Sequence, residues 1–193
     1  SDLSKAMQKR IFDILISFIA LFFLISPLIL IYFFCFFDTR SSGIFIQDRI
    51  GQYGKIFKIH KFRTIKKDGR ISAFGSFLRR FKIDELPQLC DVLIGNMSIV
   101  GPRPDVSGYY DLLKDEERNV LKLKPGITSL ASLKYFNEEA ILKQQANPQK
   151  YNDEVIFKDK VKMNLEYYHN NSVLKDIKII FRTILNFFLF IKK

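Results

Sequence analysis

Two adjacent carboxylates, Asp84 and Glu85, follow a short basic run that contains Arg79 and Arg80. Because proline fits only the first turn of a helix, Pro87 predicts a helix that begins close to Asp84. Asp84 would then cap this helix, with Glu85 in its first turn. Helix N-termini beside cations bind anions, and one or two carboxylates together with phosphate oxygens hold Mg²⁺. The pattern therefore favours a phosphate site with Mg²⁺ on the Asp84–Glu85 pair over a cap alone.

Further cations in the sequence are candidates for binding the same anion. Lys61 and Arg63 close a predicted strand, and Arg103 lies between two prolines, which limits the entropy that its side chain loses on binding. Each of these cations alone is typical of a solvated surface. Together with Arg79 and Arg80 they form one set of candidate phosphate ligands. The two histidines lack zinc-ligand spacing, and the chain has neither a P-loop nor a dinucleotide-binding motif.

A long apolar segment occupies the N-terminal region. From Ile11 to Phe37, 23 of 27 residues are apolar, which is too long for the apolar core of a signal peptide. Ser26 and Pro27 divide the segment into halves of about 13 residues, a length typical of re-entrant or interfacial helices. Lysines and arginines flank both ends, as is typical of cytoplasmic flanks. We predict a membrane helix that enters, breaks at Ser26-Pro27 and returns, and a kinked crossing helix remains the alternative.

The rest of the chain predicts one folded domain. With 20 Phe and 8 Tyr among 193 residues it is too apolar for disorder, and its two cysteines cannot staple a fold. The expected class is α+β, a mainly helical compact domain with a small β hairpin. Strands are predicted at 44–46 and 55–60, and helices at 72–81, 84–93, 109–123, 137–146 and 152–169. The predicted organisation is a re-entrant helix (1–40), a catalytic core (41–176) and an apolar C-terminal helix (177–193), which either lies on the membrane or packs on the core.

Long motifs in this sequence resemble those of a known family. Residues 76–89 read Ser-Phe-Leu-Arg-Arg-Phe-Lys-Ile-Asp-Glu-Leu-Pro-Gln-Leu, and residues 95–104 read Gly-Asn-Met-Ser-Ile-Val-Gly-Pro-Arg-Pro. They are similar to the motifs of the bacterial sugar transferases, the monotopic polyprenyl-phosphate phosphoglycosyl transferases, in their small form. Further similar motifs lie at 9–13, 26–27, 47–51, 61–64 and 124–128. After Thr128 the chain departs from the common Gly-Leu-Ala-Gln-Val-Asn-Gly-Arg, so the resemblance does not indicate which sugar is used.

The resemblance implies an enzyme at the cytoplasmic face of the bacterial inner membrane. Such an enzyme moves a sugar-1-phosphate from a UDP-sugar to undecaprenyl phosphate and releases UMP, the first membrane step of capsule, O-antigen, exopolysaccharide or glycoprotein glycan synthesis. It implies Asp84 as the nucleophile that forms a covalent phosphosugar, and Glu85 as a Mg²⁺ ligand or proton carrier. Neither the resemblance nor the composition indicates an oligomeric state.

Three other classes of function remain to be weighed. The net charge of +11 also suits a nucleic-acid binder. However, the cations converge on two carboxylates, which a nucleic acid avoids, so no nucleic-acid partner is expected. A structural membrane adaptor predicts that Asp84 is dispensable. An ordinary glycosyl transferase would release UDP rather than UMP.

Overall fold

The computed structural model describes residues 2–191, so Ser1 at the start of the predicted membrane segment and Lys192-Lys193 behind the predicted C-terminal helix lie outside it. The protein is a mainly helical α+β structure with one antiparallel hairpin, as predicted. The elements are α1 (Asp2–Thr39), β1 (Ile44–Ile50), β2 (Ile56–Phe62), α2 (Ala73–Arg80), α3 (Gln88–Ile94), β3 (Ser98–Val100), β4 (Gly126–Thr128), α4 (Leu130–Lys134), α5 (Glu138–Lys143), α6 (Pro148–Tyr151), α7 (Phe157–Asn170) and α8 (Val173–Ile191).

The N-terminal apolar segment forms the single helix α1. Helical geometry continues through Ser26 and Pro27, so the predicted interruption of the helix at this pair is not observed. Proline removes only one helical hydrogen bond, and a long apolar helix tolerates that loss with a bend. Within the described residues, Leu3–Thr39 is the one segment long and apolar enough to cross a membrane, and only 6% of its most apolar stretch is buried. Re-entry into the membrane remains a prediction.

From Lys9 to Thr39, one face of α1 packs on the rest of the protein. Its buried residues, Asp13, Ser17, Leu28, Cys35 and Thr39, recur at multiples of about one helical turn. The opposite face exposes large apolar side chains, among them those of Phe18, Phe22, Phe23, Leu30, Phe33 and Phe37. A helix with one protein-covered face and one exposed apolar face suits the boundary between protein and lipid.

A small core joins α1 to the elements behind it. Ile59 of β2, Val92 of α3 and Ile179 of α8 are almost fully buried in one cluster, against which Leu21 and Leu24 of α1 pack. A second cluster, which includes Leu78 of α2, fills the space between the later half of α1 and the hairpin. The two clusters fix α2, α3 and β2 against the same helix.

The predicted helices at 109–123 and 177–193 differ in the structure. Residues 109–123 form two short 3₁₀ segments, Tyr110–Leu112 and Asp115–Lys122, rather than one α-helix. Asp115 has a positive φ of 47°, a left-handed conformation that interrupts a helix. The C-terminal helix α8 begins at Val173, four residues before the predicted 177, and Ser172 caps it by accepting a hydrogen bond from Lys175 N at 3.2 Å.

Candidate active site

The hairpin β1–β2 presents basic side chains on one face. Opposite residues in an antiparallel pair point to the same side of the sheet, and the register places Phe45 opposite Lys61 and Arg49 opposite Phe57. Since side chains alternate along a strand, Arg49 and Lys61 lie on the same face. Ile59, between them on β2, is 1% exposed, so this face is directed into the protein.

The two carboxylates lie in a tight turn between α2 and α3. Ser72 caps α2 through Gly75 N at 2.9 Å, and Lys82 after the helix adopts a left-handed φ of 54°. The 3₁₀ turn Ile83–Glu85 follows, and Pro87 occupies the N-cap position of α3. The prediction that Asp84 caps a helix is therefore wrong, because the chain makes a separate turn before the helix begins.

Glu85 is buried and held by two cations. Its Oε2 accepts a hydrogen bond from Arg103 Nη1 at 2.9 Å, and its Oε1 accepts hydrogen bonds from Arg103 Nη2 and from Lys61 Nζ, the latter at 3.2 Å. Burial by itself favours the neutral acid, but the charges of Arg103, Lys61 and Lys82 outweigh it and hold the pKa of Glu85 at about 2. Glu85 is therefore a fixed anion with both oxygens engaged.

Asp84 experiences the opposite environment. Burial, together with the negative charge of Glu85, raises the pKa of Asp84 to about 6, although Lys61, Lys82 and Arg79 act against this rise. Its Oδ1 is buried and has no hydrogen-bond partner among residues 2–191. A buried carboxylate oxygen without a partner is costly. Its position beside a cluster of cations is the arrangement expected of a reactive or ligand-binding group.

A proline-rich loop brings Arg103 to Glu85. The loop follows β3, which pairs in parallel with β4, and Gly101 N and Gly126 N donate to Thr128 O and Pro102 O at 3.0 and 2.8 Å. The two glycines are in backbone contact, because a Cβ on Gly126 would lie 2.1 Å from Gly101 N. This close approach fixes the start of the loop that carries Arg103.

The structure brings some of the predicted phosphate ligands together and not others. Lys61 and Arg103 converge on Glu85, and Arg79 acts electrostatically on Asp84 while pairing at 3.8 Å with Glu139. Arg63 instead donates to the carbonyls of Ser42 and Ile44, at 2.8 and 3.2 Å. The Arg80 guanidinium lies 5.6 Å from the ring centre of Phe81. For Arg63 and Arg80 a role in phosphate binding remains a prediction.

Two further cations near the carboxylates did not enter the predicted set. Lys82 lies directly before the turn, and its charge lowers the pKa of both Asp84 and Glu85. Arg49 interacts electrostatically with Arg103 and Glu85. The predicted strand 44–46 stops before Arg49, so the position of Arg49 on the face of Lys61 follows from the longer strand and the register that the structure shows.

Sequence comparisons place the chain among known proteins. The family model described as bacterial sugar transferase matches residues 4–189. This chain belongs to the bacterial sugar transferase family. It is therefore a transferase, and the turn with Asp84 and Glu85 lies within the matched region.

The relatives of this transferase come from several bacteria. It is 32% identical over 198 residues to the exopolysaccharide production protein PSS of Rhizobium leguminosarum bv. phaseoli, which covers 92% of this chain and 94% of that protein. It is 33% identical to a UDP-glucose:undecaprenyl-phosphate glucose-1-phosphate transferase of Klebsiella pneumoniae and 31% identical to an undecaprenyl-phosphate galactose phosphotransferase of Salmonella typhimurium. These two matches cover 94% and 93% of this chain and 40% of each relative.

Proposed function

We propose that this transferase moves a sugar-1-phosphate from a UDP-sugar to undecaprenyl phosphate and releases UMP. The relatives from Klebsiella and Salmonella are named for undecaprenyl-phosphate sugar phosphate transfer, and the first of them for a UDP-sugar donor. Polyprenyl-linked sugars of this kind begin the synthesis of exopolysaccharide or capsule. The proposal depends most on one observation, the contrast between the two adjacent carboxylates.

Asp84 suits the role of a nucleophile because it has fewer hydrogen-bond partners than Glu85. Its buried Oδ1 has no partner among the described residues, whereas both oxygens of Glu85 are engaged by Arg103 and Lys61. A carboxylate with a raised pKa is more basic than an ordinary one, and carboxylates form covalent intermediates with phosphoryl groups. Glu85 then serves to hold Arg103 and Lys61 in place beside the reacting group.

The proposed reaction has two displacement steps at the same phosphorus. In the first, an Asp84 oxygen bonds to the phosphorus that bears the sugar, the bond from this phosphorus to the bridging oxygen breaks, and UMP leaves with that electron pair. In the second, a phosphate oxygen of undecaprenyl phosphate bonds to the phosphorus and the bond to Asp84 breaks. Arg103 and Lys61 stabilise the charge on the phosphoryl oxygens, and Asp84 is regenerated.

We also propose that Mg²⁺ takes part, with Asp84 as its protein ligand. Among residues 2–191 there is no cluster of three or more His, Cys, Asp or Glu side chains that could hold a metal. Mg²⁺, however, is commonly held by one or two carboxylates plus substrate phosphates, and Asp84 offers an oxygen without a partner. Glu85 can join as a ligand only if Arg103 or Lys61 releases it. When bound, Mg²⁺ would neutralise charge on the diphosphate.

The contacts of α1 support a monotopic arrangement, which we propose lies on the cytoplasmic face of the inner membrane. Near its start, Lys9 Nζ donates to Asp176 at 2.6 Å and Asp13 accepts from Ile99 N at 3.0 Å. Near its end, Asp38 accepts a hydrogen bond from Ser72 of the segment before α2. Both ends therefore contact the same domain, which is hard to reconcile with a helix that crosses the bilayer.

The helix α8 provides a second apolar surface for the same membrane. Its exposed large side chains recur at spacings of three and four residues, which places them on one face of the helix. They are Leu174, Ile177, Phe181, Ile184, Leu185, Phe188 and Leu189. Lys9 of α1 forms a salt bridge with the buried Asp176 of α8, and this contact joins the two helices on their protein-facing sides. We propose that α8 lies in the interface and keeps the site at the level of lipid headgroups.

The test is the identity of the released nucleotide. Purified protein with Mg²⁺, undecaprenyl phosphate and each of a panel of UDP-sugars should release UMP with at least one donor. Asp84→Asn should abolish release, while Asp48→Asn, which removes an exposed carboxylate of the hairpin, should retain it. With radiolabelled sugar and no acceptor, label should remain on the wild-type protein and not on Asp84→Asn. Release of UDP, or full activity of Asp84→Asn, would overturn the proposal.

A further inference from the structure

Arg49 is a partly buried cation at the site with unused hydrogen-bonding capacity. Its side chain is 18% exposed and its charge acts on Arg103 and Glu85. Nη2 donates to Gln47 Oε1 at 2.7 Å, and Nη1 lies 3.7 Å from Asp105 Oδ1, which is beyond hydrogen-bond distance. Its Nε is buried and has no partner among residues 2–191. A buried N–H without a partner is uncommon and costly in a folded protein.

The two other cations beside Arg49, Arg103 and Lys61, already bind a carboxylate. Both terminal nitrogens of Arg103 bond to Glu85, and Lys61 Nζ bonds to the same carboxylate. A phosphate bound by Lys61 or Arg103 shares the cation with Glu85, which offsets part of its charge. Arg49 makes no hydrogen bond to a carboxylate among the described residues, and its Nε has no partner. The contact with Gln47 fixes the orientation of the guanidinium, so little conformational freedom is lost when an anion binds.

We propose that Arg49 is a phosphate-binding residue of this site, which receives a phosphate group of a substrate through its Nε and a terminal nitrogen. Two N–H groups of one guanidinium match two oxygens of a phosphate. The phosphate comes either from the nucleotide donor or from the lipid acceptor, which share this chemistry. The inference rests on the proposed function, since that function supplies both phosphates.

The decisive measurement is the affinity for UDP and the Michaelis constant for undecaprenyl phosphate in matched arginine variants. Arg49→Gln removes the charge and the fork, and Arg49→Lys keeps the charge and removes the fork. Arg118→Gln is the control, because Arg118 donates to the backbone carbonyls of Asp111 and Leu113. Thermal unfolding of each variant, purified as the full chain in detergent, reports whether the fold is intact.

We expect Arg49→Gln to raise either the dissociation constant for UDP or the Michaelis constant for undecaprenyl phosphate by about 10-fold or more. This is the loss typical of a charge-assisted hydrogen-bonded pair. Arg49→Lys should lose less, and Arg118→Gln should stay within about twofold of the wild type. A higher dissociation constant for UDP would assign Arg49 to the donor phosphate, and a higher Michaelis constant for undecaprenyl phosphate would assign it to the acceptor phosphate.

Unchanged constants in Arg49→Gln would overturn the inference, as would a loss seen only in variants whose unfolding midpoint also falls. The proposed function fails on different evidence, namely the absence of UMP release from the wild type. The UDP affinities are measured without turnover, so they remain informative about Arg49 in that case.

Discussion

At the scale of single residues, the surroundings of two neighbouring carboxylates shift their pKa values in opposite directions. Glu85 is buried more deeply but is surrounded by cations, so its pKa falls to about 2. Asp84 is buried without a hydrogen-bond partner for Oδ1, and its pKa rises to about 6. Residues adjacent in a tight turn point in different directions, which allows one to be fixed while the other stays reactive.

The raised pKa predicts a pH dependence for the first reaction step. Because only ionised Asp84 can attack, the second-order rate constant for its reaction with the UDP-sugar, which yields one equivalent of UMP, should fall about tenfold per pH unit below about 6 and level off above it. UMP release should be followed without acceptor, since a phosphate monoester itself titrates near pH 6. A flat profile from pH 5 to 8 would contradict the role of Asp84 as the titrating nucleophile.

The same shift predicts that Asp84 lowers stability at neutral pH. Its folded pKa of about 6 exceeds the ordinary 3.8, so the folded state binds the proton more tightly and stability falls as pH rises between these values. The free energy of unfolding of Asp84→Asn at pH 8 should therefore exceed that of the wild type, by no more than about 3 kcal/mol. The difference should vanish below pH 4, and Asp48→Asn should show no such pattern.

Removal of Glu85 should have the opposite effect on stability. Glu85→Gln leaves Arg103 and Lys61 without their counter-charge, which costs about 2 kcal/mol, less than for a fully buried pair because the Arg103 side chain is 41% exposed. The pKa of Glu85 is lowered to about 2, so its stabilising effect is complete above its ordinary pKa and is lost as pH falls towards 2. Denaturant unfolding at pH 7 and pH 3 should show this loss shrinking. Glu139→Gln, an 80% exposed control beside Arg79, should change stability by less than about 0.5 kcal/mol.

At the scale of elements, the contact between Gly101 and Gly126 determines where Arg103 lies. In Gly126→Ala the new Cβ would lie 2.1 and 2.5 Å from the backbone N and O of Gly101, and backbone atoms cannot rotate away. We expect a loss of about 2 kcal/mol or more in the free energy of unfolding, together with weaker UDP binding. Gly69→Ala is the control, because its φ of 81° brings strain but its Cβ site is open. Equal stability of the two variants would show that the loop relaxes without cost.

Elements with clear periodicity were predictable from the sequence, and elements held by long-range contacts were not. The predicted strands 44–46 and 55–60 identified the hairpin, although β1 and β2 extend to Ile50 and Phe62, and the predicted helix 72–81 matches α2 closely. The pair β3–β4 escaped prediction because each strand has three residues and pairs across 25 intervening residues. The predicted start of α3 at residue 84 was wrong, because Lys82 adopts a left-handed conformation that no local sequence pattern indicates.

The site was predictable to a similar extent. The residue types of Asp84, Glu85, Lys61 and Arg103 indicated their convergence, because clustered cations and carboxylates are rarely accidental. The sequence did not indicate which carboxylate is engaged by the cations. That distinction depends on the path of the loop after Gly101, which is set by long-range contacts such as those with Gly126 and Ile50.

At the scale of the whole molecule, the contacts at both ends of α1 bear on how the protein meets the membrane. Arg10 donates to the carbonyls of Val92 and Leu93 at 2.6 and 2.7 Å, while Tyr32 covers Gly43 before the hairpin. A helix of this length, at about 1.5 Å per residue, exceeds the hydrocarbon thickness of about 30 Å. If it crossed straight through, one end would be separated from the domain that both ends contact.

This arrangement predicts that both flanks of α1 face the cytoplasm. Single thiols introduced by Lys5→Cys and by Lys67→Cys, both at exposed positions, should be compared in a Cys90→Ser background, where only the buried Cys35 remains. An impermeant maleimide added to intact spheroplasts should label neither variant, and lysis should expose both. Labelling of the Lys5→Cys thiol from outside, with the Lys67→Cys thiol still protected, would show that α1 crosses the bilayer. Its contacts with Val92, Leu93 and Asp176 would then have to break in the membrane, and the apolar faces of α1 and α8 could not share one leaflet.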